Sequence, residues 1–75
     1  MNNKNNQNEQ WKVLVLFLKD IAESKNITQG TIAIQTGLIQ SNISRFFSLR
    51  YKPNLETLVK ISTALNCKIN ITDNE

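Results

Sequence analysis

Residues Ile27 to Asn66 read ITQGTIAIQTGLIQSNISRFFSLRYKPNLETLVKISTALN. Thr28 suits a helix N-cap, because its hydroxyl can accept a backbone N–H one turn on. The helix it opens spans about Gln29 to Thr36. Gly37 supplies the left-handed residue that closes a helix tightly, and Leu38 returns the chain to the core. The next helix, about Gln40 to Leu49, separates into two faces. Gln40, Ser41, Ser44, Arg45 and Ser48 share an arc of about 140° at helical spacing, and Ile43, Phe46 and Phe47 fall opposite. A solvated helix more often carries Glu and Lys pairs on its outer face. This face has no Glu, no Asp and no Lys. Arg50-Tyr51-Lys52-Pro53 is a loop with two cations. Pro53 stops helix continuation, and Asn54 can cap a new helix. That last helix runs from about Leu55 to Leu65, with Leu58, Ile61 and Leu65 inward and Asn66 as its stop.

Charge is distributed unevenly over this stretch. No acidic residue occurs between Glu23 and Glu56, whereas Lys25, Arg45, Arg50 and Lys52 do. A polyanion repels carboxylates and attracts these cations, so the gap in acids matters more than the net charge of +3. Asp73 and Glu75 lie in the last three residues, so the body is more basic than the total.

Glu9 to Lys25 reads as a first helix. Val13, Leu14, Phe17, Leu18 and Ile21 fall on one side, and Lys12, Lys19, Asp20 and Glu23 on the other. Trp11 and Val15 lie at the edge of the apolar face, and Leu16 lies among the charges. That stripe is too wide for a simple surface helix. It is read as core plus one exposed Leu, or as core plus a partner surface. Residues 1–8 are almost all Asn and Gln and are expected to be a disordered arm. Residues 9–66 form the folded domain.

The tail from Cys67 to Thr72 changes period. Apolar and polar residues alternate, as in a half-buried strand. A lone strand leaves backbone groups unpaired. The simplest partner is the same strand of a second copy across a two-fold axis, with Cys67, Ile69 and Ile71 at the dimer contact. The local alternative is Trp11 to Leu18, if that segment is strand rather than helix.

Seventy-five residues make one small domain with a thin core. With no His and a single Cys, there is no intramolecular disulfide and no expected metal site or cofactor. Nothing resembles an acid–base pair or a phosphate loop, so an enzyme is not expected. The apolar run Val13 to Leu18 is shorter than a signal core of about 7–15 residues, and far too short to span a bilayer. A cytoplasmic protein without membrane attachment is expected.

Residues Thr28 to Leu65 resemble the phage-repressor and Cro-like helix-turn-helix family, also called the XRE family. The resemblance rests on Gln29 opening a helix, the small Ala33, the Gly37 turn, and Gln40-Ser41-Asn42-Ile43-Ser44-Arg45. Lys52-Pro53 and Leu55-Glu56-Thr57-Leu58 complete it. It covers about half the chain without gaps. Three departures stand out. Gly30-Thr31 replaces a usual Glu after Gln29 and weakens that helix. Ile39 stands where Ser or Thr commonly caps the next one. Phe47 and Leu49 stand where a polar residue and a Gly are usual.

The resemblance implies an all-α, lambda-repressor-like bundle of four helices, to which the alternating tail adds a short C-terminal strand paired across a dimer. It implies a transcriptional regulator, expected to be a repressor, whose third helix enters the major groove of double-stranded DNA. Gln40, Ser41, Ser44 and Arg45 would contact bases. Gln29, Asn42, Arg50, Tyr51 and Lys52 would contact phosphates. Two units in a homodimer would read an inverted repeat. The competing reading is an antitoxin or adaptor. It would hold a toxin-like protein through Trp11, Val15 and Leu16 or through the C-terminal strand.

Overall fold

The computed structural model describes residues 9–73. The expected N-terminal arm, residues 1–8, lies outside the described residues. Among the described residues four helices occur in order: α1 (Gln10–Ser24), α2 (Gln29–Thr36), α3 (Gln40–Phe47) and α4 (Leu55–Ala64). The described residues contain no strand and are all-α. Helix α2 packs against both α3 and α4, and α1 packs against α3. Val15, Leu18, Ile32, Ile43, Phe46, Ile61 and Leu65 meet in one buried core. No described helix is long and apolar enough to cross a membrane.

The helix ends obey local chemistry. Thr28 Oγ1 accepts the Thr31 N–H at 3.1 Å, and Asn54 Oδ1 accepts that of Thr57 at 2.8 Å. Ile39 at the start of α3 offers no side-chain cap. Gly37 closes α2 at φ 76°, with its N–H donating to the Ala33 carbonyl. Two helices end in the same hydrogen-bonded motif around a left-handed Asn. At the end of α1, Asn26 has φ 58°, its N–H donates to Glu23 O, and the Ile27 N–H donates to Ala22 O. At the end of α4, Asn66 has φ 62°, its N–H donates to Thr63 O, and the Cys67 N–H donates to Ser62 O.

Three expectations change. The strand expected over Cys67–Thr72 forms no ladder among the described residues. Its first N–H is already spent on the α4 cap, and Trp11 to Leu18, the local alternative partner, is helical. Helix α3 stops at Phe47, two residues before the expected end at Leu49. Leu49 takes φ 65°, the left-handed conformation that favours glycine, and packs its side chain against the core. Such a backbone costs an L-residue about 1–2 kcal/mol, which burial of the leucine opposes. Phe47, the other departure from the family pattern, is buried edge-to-face on Phe46, with ring centroids 5.0 Å apart.

The largest change concerns α1. Its core side is Val15, Leu18 and Ala22, with Trp11 and Ile21 half-buried beside them. Val13, Leu14 and Phe17, expected inside, are 65%, 52% and 63% exposed. Leu18 alone of the expected inward set is fully at home. The stripe was wide enough for two solutions. The one taken puts the small Val15 and Ala22 inward, where a helix can approach its neighbour closely.

Candidate nucleic-acid interface

The outer side of α3 is built by the two faces of one short helix. Ile43, Phe46 and Phe47 are buried and anchor the helix in the core. Gln40, Ser41, Asn42, Ser44, Arg45 and Ser48 are left exposed. Ile32 of α2 is buried beneath them, and Ala33 and Leu38 pack around it. The polar face is thereby held rigid by a close-packed interior before any ligand arrives.

The side chains expected to meet a nucleic acid gather in two places. At the N-terminal end of α3, Gln40 reaches toward the first turn of α2. Its Oε1 lies 3.7 Å from where a Cβ on Gly30 would stand. Gln29 is half-buried there at the opening of α2. At the other end, the Arg45 guanidinium lies over the Tyr51 ring, 5.2 Å from its centroid. An open depression beside this pair is lined by Ser44, Arg45, Ser48, Arg50 and Tyr51. A second depression, on Leu38, Asn42, Arg45, Tyr51, Asn54 and Thr57, shares the pair as its wall. Lys52 is exposed in the same loop.

The polar face is not uniformly free. Ser48 Oγ donates to the Arg45 carbonyl at 2.6 Å and closes the end of α3, so its hydroxyl is engaged in capping. Lys25, part of the basic count of this segment, donates from Nζ to the Leu65 carbonyl at 2.7 Å. It thereby neutralises the C-terminal end of α4. Nothing in the residue order points to that bond, because its ends lie forty residues apart. Among the described residues, no carboxylate lies within ion-pairing distance of Arg45, Arg50 or Lys52. The pairs Lys12–Glu9 and Lys60–Glu56 lie on α1 and α4.

The residues assigned to partner contacts separate differently from expectation. Cys67 is half-buried and packs against the core of its own chain. Ile69 is half exposed and Ile71 is 96% exposed. Val15 is buried and Trp11 half-buried, so of the three α1 residues proposed for a protein partner only Leu16 faces solvent. The exposed apolar side of α1 is Val13, Leu14 and Phe17, the residues expected inside. Leu14 and Phe17 form one wall of a shallow apolar groove of about 230 Å³, with Leu58, Cys67 and Ile69 opposite.

A family model described as helix-turn-helix matches residues 18–71. No curated protein and no solved structure matches the chain.

Proposed function

The chain belongs to the XRE helix-turn-helix family of DNA-binding transcription regulators, and from that premise we propose that it is a dimeric repressor reading an inverted repeat with α3 in the major groove. One observation carries this reading. An exposed, acid-free polar face stands on a buried aromatic anchor, with Arg45, Arg50 and Lys52 at its C-terminal side. Gln40, Ser41, Ser44 and Arg45 are the base readers in this reading. An Arg fork matches guanine O6 and N7, and a Gln amide matches adenine N6 and N7. Gln29 at the positive end of α2, with Asn42, Arg50 and Lys52, holds the phosphate backbone.

One such unit covers few base pairs. Two units joined in a dimer place their helices about 34 Å apart, one turn of the duplex, and gain affinity from bivalency alone. Ile69 and Ile71, exposed in a tail that forms no ladder among the described residues, supply the dimer contact, with Cys67 at its base. Selection from a random duplex library at moderate salt, on protein of measured solution mass, tests the proposal. Enrichment of an inverted repeat bound by two copies is expected. Equal binding to all duplexes would end it.

A second reading rests on the exposed Val13, Leu14 and Phe17. A contiguous apolar surface bordered by polar residues marks an interaction site. An antitoxin or adaptor would use it to hold another protein while α3 stays available for DNA. A protein that enriches no duplex, yet binds the product of a neighbouring gene, would favour it.

A further inference from the structure

We infer that Tyr51 is a positioning residue, which sets the Arg45 guanidinium for base reading by stacking beneath it rather than by touching the DNA itself. The inference rests on the DNA-reading role of α3 and assigns to Tyr51 a part in specificity instead of backbone contact. Three observations carry it. The Arg45 carbon Cζ stands 5.2 Å from the Tyr51 ring centroid, within the distance of about 6 Å at which a ring face attracts a cation. The chain has no acidic residue between Glu23 and Glu56, and no carboxylate lies within ion-pairing distance of Arg45 among the described residues. The ring therefore takes the place a carboxylate would hold. The two side chains also form the shared wall of the two depressions on this face.

The chemistry of the pair suits a reader. A carboxylate partner would occupy the N–H edge of the guanidinium and compete with a base for it. A ring occupies the flat face and leaves the in-plane N–H donors free. A long Arg side chain is otherwise spread over many rotamers, and ordering it on binding opposes affinity. Tyr51 removes part of that disorder in advance. It can do so because the chain turns back after α3. Leu49 at φ 65° redirects the backbone, and Pro53 and the Asn54 cap lead the loop into α4. Tyr51 is thereby brought beside a residue six positions earlier in the chain.

The assignment is tested with Arg45→Ala, Tyr51→Ala and Tyr51→Phe, by selection on duplex libraries and by proton chemical shifts of the free proteins. The Arg45 side-chain protons of the native protein are expected to show a ring-current shift that persists in Tyr51→Phe and vanishes in Tyr51→Ala. Arg45→Ala should lower preference at one base pair by about 5- to 150-fold, the range of a bidentate contact. Tyr51→Ala should relax preference at that same base pair by about 2- to 5-fold, the scale of an exposed cation–ring contact. Tyr51→Phe should restore it. A Tyr51 acting through its hydroxyl on phosphate gives the reverse pattern. Tyr51→Phe then weakens all duplexes alike while base preference stays intact, and the positioning role is overturned. Absence of the ring-current shift in a protein that still enriches a site sinks this inference alone. A clear shift in a protein that enriches no site sinks the DNA-reading role, and the positioning role with it.

Discussion

Helices α1 and α3 each bury one side in the same core and expose the other, yet their exposed sides are opposite in chemistry. On α3 the exposed residues are Gln, Ser, Asn and Arg. On α1 they include Val13, Leu14 and Phe17 alongside Lys19, Asp20 and Glu23. The α3 face is what remains when three apolar residues at helical spacing are withdrawn into the core. The α1 face is apolar material in excess of what a thin core can take. A small domain runs out of interior before α1 runs out of apolar side chains. Exposure therefore has two meanings in this molecule. On α3 it presents hydrogen-bonding groups for which water is a good partner. On α1 it leaves apolar area in water, which association with another surface would relieve.

The contrast is most severely tested beneath α3. Phe46 is fully buried under the polar face. Phe46→Ala should cost about 3–5 kcal/mol of folding stability, read from the denaturant midpoint, and weaken every duplex together. A loss below about 1 kcal/mol would mean that the core does not hold the face. A lesser effect is expected at the edge of that face. Arg50→Ala should weaken all duplexes about equally and reduce the slope of log affinity against log salt by about one unit. An unchanged slope removes Arg50 from the phosphate contacts.

The next expected change is smaller and has the opposite sign. Gly30 lies in the first turn of α2, and a Cβ there would meet Gln40 Oε1 and Thr28 Oγ1 only at ordinary contact distances of 3.7 and 3.8 Å. Gly30→Ala should raise stability by about 0.4–1 kcal/mol, measured by thermal unfolding. Destabilisation would show that Gln40 needs that space. On α1 the expected change in folding is smallest of all. Phe17→Ser should move the stability of the dilute protein by less than about 0.5 kcal/mol while reducing self-association or partner capture at higher concentration. A drop of several kcal/mol would show that Phe17 is core, and the two faces would no longer differ in kind.

Much of the α3 side was legible from residue order. Thr28, Gly37, Asn54 and Asn66 marked helix ends where the structure puts them, because caps and left-handed stops act through hydrogen bonds within one turn. The polar face of α3 was legible for the same reason. Ile43, Phe46 and Phe47 left only one side to bury. Helix α1 was legible as a helix but not in its rotation. Apolar residues cover so much of its circumference that periodicity alone allows several inward faces. The end of α3 was misjudged by two residues, since a leucine at φ 65° is held there by its contact with the core and not by local preference.

Residue order by itself determined four helices, the caps of α2 and α4, the acid-free polar face and the helix-turn-helix family. Tertiary structure alone decided which side of α1 is inside, that Lys25 caps α4 through the Leu65 carbonyl, and that Arg45 lies over Tyr51. The division is one of range. Hydrogen bonds within a turn and helical periodicity are properties of neighbouring residues. A helix with apolar residues on most sides takes its rotation from what the rest of the chain presses against it, and a cation takes its partner from where a loop happens to return.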